Sequence, residues 1–294
     1  MKTFAFATLA ALAVAGGAYR LAGGGAALNP VALAADEGAA GPSTEGMKLV
    51  FEDTFDGTEL DLAKWYPGPK PDGGQWGGAH FVGANEVGFA KVYIVKDGML
   101  TLRAHHDPAY KDPEKWGRTW YSGQVSSAFP NKRISAAIRT GYIETRAKFP
   151  KNKGSWPGFW MISADTGTPG AKDPGGTEAD VFEFYGDAPG KFSSNVIDWP
   201  GASGRKPAGQ QLVWTETGAD LTAGFHTYGA RLTQKEMIVY FDHKEVKRLT
   251  LPRPDTTGPF IVLLDNAIHT DSGVDVPPSG YADAVFDYVR VWSD

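Results

Sequence analysis

Short stretches of apolar or alternating residues recur along this chain, and turn residues separate them. In Gly141–Phe149 the even-numbered and odd-numbered residues would lie on opposite faces of a strand. Strands of this kind are predicted at Lys48–Asp53, Val92–Val95, Leu100–Ala104, Gly141–Phe149, Phe159–Ser163, Ala179–Tyr185, Asn195–Trp199, His226–Leu232, Met237–Phe241, Phe260–Leu264 and Phe286–Trp292. Because no stretch has the length and period of a long amphipathic helix, the chain is predicted to be all-β.

Short strands joined by turns favour two packed antiparallel sheets, as in a β-sandwich or a jelly roll. The composition supports this fold class, because aromatic residues make up 12% of the chain and suit strands, while 37 Gly and 20 Pro suit turns. The sequence contains no internal repeat and no break in composition. We therefore expect a single domain at residues 47–294.

The N-terminal residues have the pattern of a processing signal. Lys2 precedes an apolar run, Phe4–Ala15, that is too short to span a bilayer, and Ala32-Leu33-Ala34 fits a small-x-small cleavage site. We predict a signal peptide at residues 1–34 and a flexible leader at residues 35–46. The protein would then be secreted or periplasmic. An uncleaved anchor and a cut near Ala18 are the alternatives.

Charge and composition exclude several classes of function. The formal net charge is −5, so there is no basic surplus for binding nucleic acid. The absence of cysteine excludes disulfides, thiol nucleophiles and Cys-ligated zinc. The sequence also lacks a His-Glu-x-x-His zinc motif, a Gly-Lys-Ser/Thr phosphate loop and a Gly-x-Ser-x-Gly esterase elbow. We expect no nucleic-acid partner, no membrane contact after signal cleavage, and a monomer.

Three carboxylates lie close together within one apolar stretch: Glu178, Asp180 and Glu183. On a regular strand Glu178 and Asp180 would share a face and Glu183 would point away from it. A β-bulge near Val181-Phe182 would return Glu183 to the same face. Clustering raises the pKa of at least one carboxyl, as a general acid near neutral pH requires. The alternative is an edge strand that carries scattered charges.

The acidic motif resembles the Glu-x-Asp-x-x-Glu signature of glycoside hydrolase family 16. Further landmarks of that family follow in its order along the chain: Phe51–Gly57, Leu60-Asp61 with Trp65, Asn85-Glu86, Tyr121–Gly123, Gly141–Arg146, Gly154–Trp160, Phe225–Tyr228 and Asp287–Trp292. The resemblance implies a concanavalin-A-like β-jelly roll, with two packed antiparallel sheets and a substrate cleft on the concave sheet.

The resemblance also implies a role for each acid. Glu178 would be the nucleophile, Glu183 the general acid/base, and Asp180 the residue that assists the nucleophile. Such a pair hydrolyses glycosides with retention of configuration and requires carboxyls ~5–5.5 Å apart. No cofactor enters that chemistry.

The predicted function is that of a secreted, retaining endo-β-glycanase whose partner is a polysaccharide, with a β-1,3- or mixed β-1,3/1,4-glucan as the first choice. A β-galactan of the agar, porphyran or carrageenan type and a bacterial exopolysaccharide are the alternative substrates. A non-catalytic, lectin-like carbohydrate-binding module is the alternative from a different class.

Several further residues are candidates for binding substrate. Trp156 and Trp160 share strand parity and would both face the cleft, where Trp160 has packing as its alternative role. Asn85 and Glu86 match a position that contacts sugar in the family, and a role in stabilising the turn is the alternative. Many members of the family have a histidine on the strand after the acidic one. Here that strand carries Asp198 and Trp199, both candidates for the cleft.

A structural calcium ion is expected from the family on the side of the domain away from the cleft. Its candidate ligands are Glu52 and Asp287, together with the backbone near Gly98. Ordinary surface ion pairing of these two acids is the alternative.

Overall fold

The computed structural model describes residues 42–71, 74–164, 175–199, 209–252, 258–270 and 273–294. The signal peptide predicted at residues 1–34 and most of the leader predicted at 35–46 lie outside these ranges. The described residues belong to one compact unit, Leu33–Asp294. Within them, no helix combines the length and hydropathy required to cross a membrane.

Strands dominate the described ranges, and the one helix there is the single turn α1 (Phe89–Val92). The strands are β1 (Lys48–Asp53), β2 (Tyr66–Pro67), β3 (Ala79–Phe81), β4 (Tyr93–Lys96), β5 (Met99–His106), β6 (Trp120–Ser122), β7 (Gln124–Ser126), β8 (Ala137–Ile138), β9 (Gly141–Lys148), β10 (Ser155–Ser163), β11 (Thr177–Phe184), β12 (Lys191–Asp198), β13 (Gln210–Glu216), β14 (His226–Leu232), β15 (Glu236–Phe241), β16 (Lys244–Thr250), β17 (Phe260–Ile268) and β18 (Tyr281–Ser293).

These strands form two sheets, which confirms the predicted all-β fold. The order in the first sheet is β16-β15-β14-β9-β18-β5-β6-β3, with β1 paired to β18 and β4 paired to β5. The order in the second sheet is β13-β12-β11-β10-β17-β7-β2, with β8 paired to β17. Pairing is antiparallel except between β3 and β6. The acidic strand β11 therefore lies inside the second sheet, between β10 and β12.

The core lies between the sheets and follows from the alternation of side chains. On β9, Ile143 and Ala147 are buried in it, while Tyr142 on the other face bonds to Glu144. Phe149, just after β9, brings the two sheets together. Its ring lies 4.8 Å from that of Phe182 and 5.3 Å from that of Tyr228, one from each sheet. Aromatic packing of this kind fixes the distance between the sheets.

The hydrophobic pattern located the middle of most long strands and missed their ends. The predicted strands Lys48–Asp53 and His226–Leu232 have the observed bounds, whereas β10 begins at Ser155 and β18 begins at Tyr281, ahead of the predicted Phe159 and Phe286. The end residues are held in the sheet by backbone pairing, which needs no apolar side chain. The edge strands β13 and β16 were not predicted, because their exposed residues interrupt the pattern.

Replacing Phe149 by alanine should lower the free energy of unfolding by about 3–5 kcal/mol, since the change leaves a cavity among the rings of Phe182, Phe184 and Tyr228. Chemical denaturation measures this change. Leu62→Ala is the matched control, because Leu62 is 47% exposed, and its effect should stay within about 0.5 kcal/mol. Equal losses in the two variants would contradict the assignment of Phe149 to the core.

Candidate active site

A β-bulge in β11 gathers the three carboxylates. Against β12, the pairing shifts between Asp180 and Glu183, and against β10 it shifts between Phe159 and Trp160. The extra residue confirms the bulge predicted at Val181-Phe182. Both bulge residues are fully buried in the core. Glu183 is consequently returned to the face that carries Glu178 and Asp180.

The register defines three rows of residues across this face of the second sheet, which we call the carboxylate face. The row through Glu183 runs Trp214, Ser193, Glu183, Gly158, Asp265 and Gln124. The row through Asp180 runs Leu212, Asn195, Asp180, Trp160, Leu263 and Ser126, and the row through Glu178 runs Gln210, Ile197, Glu178, Ile162, Ile261 and Ala137.

Two tryptophans hold the two glutamates through their indole N–H groups. Trp199 Nε1 donates to Glu178 Oε2 at 3.0 Å, and Trp156 Nε1 donates to Glu183 Oε1 at 2.9 Å. Ser193 Oγ donates to the second oxygen of Glu183 at 3.3 Å. Glu178 and Glu183 are partly exposed, whereas Asp180 between them is buried. A ligand on the carboxylate face can therefore reach both glutamates.

A fourth carboxyl group, that of Asp265 on β17, completes the site. Trp160 Nε1 donates to Asp265 Oδ2 at 2.7 Å, and the backbone N–H of Ala267 donates to Oδ1 at 3.2 Å. Gly158 pairs with both Glu183 and Asp265, so these two acids flank it. A Cβ atom at Gly158 would be 3.2 Å from Asp265 Oδ2, which is tighter than most such contacts. Glycine thus leaves room between the two acids.

Burial dominates the electrostatics of this cluster, because desolvation disfavours the charged form of an acid. It raises the pKa of Glu178 to about 7, with a further rise from the charge of Glu183 and opposing effects from Trp199 and Lys70. Burial also raises the pKa of Asp265 to about 8. The pKa of Asp180 is raised well above its ordinary value by burial and by the neighbouring carboxylates.

The pKa of Glu183 is also raised, again chiefly by burial. The hydrogen bonds from Trp156, Ser193 and Tyr185 oppose that rise, because they stabilise the carboxylate. The site therefore holds protons at a pH where isolated carboxyl groups would be ionised. Perturbed acids that share an accessible face are typical of catalytic sites.

A family model described as glycosyl hydrolases family 16 matches residues 89–262, which is more than half of the chain. The chain belongs to glycosyl hydrolase family 16. It is 27% identical over 287 residues to glucan endo-1,3-β-glucosidase A1 of Niallia circulans. That match covers 86% of this chain and 39% of that protein. It is 29% identical over 208 residues to endo-1,3-1,4-β-glycanase EglC of Rhizobium meliloti. That match covers 69% of this chain and 40% of that protein.

This family 16 chain thus spans about two fifths of the length of those two curated relatives. Among solved structures, it is similar to the catalytic domain of an endo-1,3-β-glucanase (laminarinase) from Thermotoga petrophila. The TM-score is 0.64 at 21% sequence identity, and the match covers 84% of this chain and 98% of that one. The likeness supports the jelly-roll fold.

The family 16 site contains a histidine, although not on the strand after the acidic one. His269, immediately after β17, stacks on Trp156 with ring centroids 4.8 Å apart and an interplanar angle of 13°. Its ring also lies 5.2 Å from that of Tyr185. Both partners interact with Glu183. His269 therefore lies one ring away from that carboxylate.

The structure places the sequence-predicted binding residues in different surroundings. Trp156, Trp160 and Trp199 contact the acids directly, as described above. Asp198 pairs with Thr177, so strand alternation places its buried side chain on the face opposite Glu178. Asn85 and Glu86 lie in the turn after β3, where His80 Nε2 and Glu86 Oε2 are 2.6 Å apart.

The two candidate calcium ligands lie in separate ion pairs. Arg290 Nε donates to Glu52 Oε1 at 2.7 Å, and Arg146 Nη1 donates to Asp287 Oδ2 at 2.7 Å. Both acids therefore form the ordinary surface ion pairs that were the alternative to calcium binding. Within the described ranges, His80, Asp112 and Glu114 form a group of metal-ligand type. Arg118 pairs with both of those carboxylates, however, so one of their two negative charges is already balanced.

Sequence reasoning missed Asp265, Ser193, Tyr185 and Trp76 as parts of this region. Asp265 had a usable signal, because it is a charged residue that directly continues the apolar run Phe260–Leu264. Trp76 had none, since it lies in a Gly-rich loop and reaches the site by its ring contact with Trp156, 5.2 Å between centroids, and by packing on the cluster around Trp160.

Replacing Glu178 by glutamine should raise the thermal unfolding temperature at pH 8 and have little effect at pH 4. An acid whose pKa is raised on folding, here from 4.5 to about 7, weakens the folded state progressively as the pH rises through that interval. Glutamine stays neutral and avoids this loss. Thermal melts across the pH range test the prediction, with exposed Glu59→Gln as the control. The prediction would be wrong if Glu178→Gln changed the unfolding temperature by the same amount at pH 4 and at pH 8.

Proposed function

We propose that this protein is a retaining endo-β-glycanase that hydrolyses a β-1,3- or mixed β-1,3/1,4-glucan. The observation that carries the proposal is the pair of partly exposed glutamates on one face of β11, each held by an indole N–H, with buried Asp180 between them. Two carboxyl groups of this kind are the machinery that glycoside hydrolysis requires.

In the proposed mechanism Glu178 attacks the anomeric carbon while Glu183 donates a proton to the leaving glycosidic oxygen. The bond from the anomeric carbon to that oxygen breaks, and a covalent glycosyl ester forms on Glu178. Glu183, now ionised, takes a proton from water, and the resulting hydroxide displaces Glu178. The sugar leaves with its original configuration, because two inversions have occurred.

The environment of Asp180 and Glu183 supports this division of labour, whereas the pKa of about 7 at Glu178 means that this nucleophile is mostly ionised only above neutral pH. The raised pKa of Asp180 favours its protonated form, which can donate a hydrogen bond to ionised Glu178. Glu183 has a raised pKa and also three donors that stabilise its ionised form. Those opposing influences suit a group that must first give up a proton and then regain one.

The relatives support the substrate class. The proteins from Niallia circulans and Rhizobium meliloti are named as acting on β-1,3- and β-1,3-1,4-linked glycans. We propose a polysaccharide of that class as the partner of this chain. A screen against laminarin, lichenan, agar, porphyran and carrageenan tests the choice by measuring reducing ends and the anomer first released. Cleavage confined to a galactan would contradict the glucan assignment.

We also propose export, with residues 1–34 as the signal peptide and 47–294 as the catalytic domain. The proposal rests on the apolar run Phe4–Ala15 that follows Lys2. Expression in a bacterial host should yield exported protein whose N-terminus, determined by mass spectrometry, is Ala35. An uncleaved, membrane-retained product would contradict it.

The roles of the two glutamates can be separated with azide. On an aryl β-glucoside with a good leaving group, Glu183→Ala plus azide should give the β-glycosyl azide, because the first step no longer needs a proton. Glu178→Ala plus azide should give the α-glycosyl azide, because azide then makes the only displacement. Without azide, Glu183→Ala should lower turnover of the polysaccharide by about 10²–10⁴-fold.

The control for these variants is Glu59→Gln, which changes an exposed acid and should leave turnover unchanged. If each variant gave the azide of the opposite anomeric configuration, Glu183 would be the nucleophile and Glu178 the general acid/base. Unchanged turnover in Glu178→Ala would refute the mechanism altogether.

A further inference from the structure

The outermost strand of the second sheet exposes two large apolar side chains on the carboxylate face. Leu212 is 40% exposed and Trp214 is 38% exposed, and the two residues are two positions apart on β13. They share a face because side chains alternate along a strand. Outermost strands are normally protected by charge, so an exposed apolar pair that shares a face with the acids is a candidate binding surface.

The register connects Trp214 to the catalytic strand. Trp214 pairs with Ser193, and Ser193 pairs with Glu183, so the three residues form part of one row. Two strand spacings separate β13 from β11, which is roughly 10 Å. Ser193 is fully buried although it is on the accessible face. Larger side chains on either side therefore cover it.

The side chain of Tyr185 forms a hydrogen bond with Ser193, and aromatic rings form a continuous series from Glu183 to β13. Trp156, whose N–H group binds Glu183, stacks on Tyr185 with centroids 6.1 Å apart and an interplanar angle of 19°. The ring of Tyr185 lies 5.3 Å from that of Trp214. Lys191 Nζ lies 4.8 Å from the centroid of the Trp214 ring, and also 3.6 Å from Glu216. Packing from two sides fixes the indole, while a third or more of it stays open.

We propose that Trp214, positioned by Tyr185 and Lys191, forms an outer sugar-binding subsite that holds a β-linked pyranose residue beyond the two sugars joined by the scissile bond. This inference rests on the proposed function of Glu178 and Glu183. The apolar face of such a ring stacks on an indole, and the neighbouring tyrosine hydroxyl and ammonium groups offer hydrogen bonds to its hydroxyls. A subsite of this kind makes the enzyme favour long chains over short ones.

The test compares Trp214→Ala with the wild type on a long and a short substrate. For laminarihexaose, kcat/KM should fall about tenfold, the effect of losing one good ring-stacking contact. For an aryl laminaribioside, which is too short to reach β13, it should change by less than about twofold. Cleavage of reducing-end-labelled laminarihexaose should also shift to different bonds. Trp214→Phe, which keeps a ring, should recover most of the activity on the hexaose.

Trp292→Ala is the matched control, because Trp292 is a partly exposed tryptophan that packs on Tyr142 on the outer face of the other sheet. It should leave both substrates unaffected, and thermal melts of all variants show whether folding is retained. Equal losses on the hexaose and the bioside, or no loss on the hexaose, would overturn the subsite.

Failure of the proposed function is recognised separately. If the wild type hydrolyses no β-glucan, the function as proposed is wrong, and affinity electrophoresis then decides the subsite. Glu178→Gln is run through gels that contain laminarin, lichenan, agar, porphyran or carrageenan, with and without Trp214→Ala. Retardation that the second substitution removes supports the subsite. Unchanged retardation, or none in any gel, overturns it.

Discussion

The bulge in β11 is the constraint on which the site depends. Without the extra residue, Glu183 would point into the aromatic core and Phe182 would face solvent. The core enforces the bulge, because Val181 and Phe182 are both fully buried among rings from the two sheets. Hydrophobic packing on one face of the strand thereby determines which carboxylates meet on the other.

Holding several acids together costs folding free energy, and the aromatic residues around them offset part of that cost. Each indole N–H group donates to a carboxylate oxygen, as Trp199 does to Glu178, Trp156 to Glu183 and Trp160 to Asp265. The same rings exclude water and so raise the pKa values of the acids. The tryptophans therefore both orient the carboxylates and contribute to the burial that raises their pKa values.

The two sheets differ in the side chains that they carry on the face away from the core. The first sheet supplies one wall of the core and carries its charged groups on its outer face, where ion pairs such as Arg290 with Glu52 contribute little to stability. The second sheet has apolar clusters on both faces: the shared core, and a smaller cluster around Trp160, Ile162, Ile261 and Leu263 beside the acids on the carboxylate face. That smaller cluster borders the acids with packed apolar side chains, and rigid elements place functional groups more accurately than loops do.

The sequence by itself determined the all-β fold, the parity of the long strands, the bulge and the three acids of β11, because these are local features that period and spacing record. It also indicated Trp156, Trp160 and Trp199 as neighbours of the acids. Only the tertiary structure brought Asp265, His269 and Trp214 into the region around Glu183, because they lie far along the chain and the pairing of distant strands places them there. It likewise placed Glu52 and Asp287 in separate ion pairs and directed Asp198 away from the site. Pairing between distant strands decides such contacts, and no local pattern encodes it.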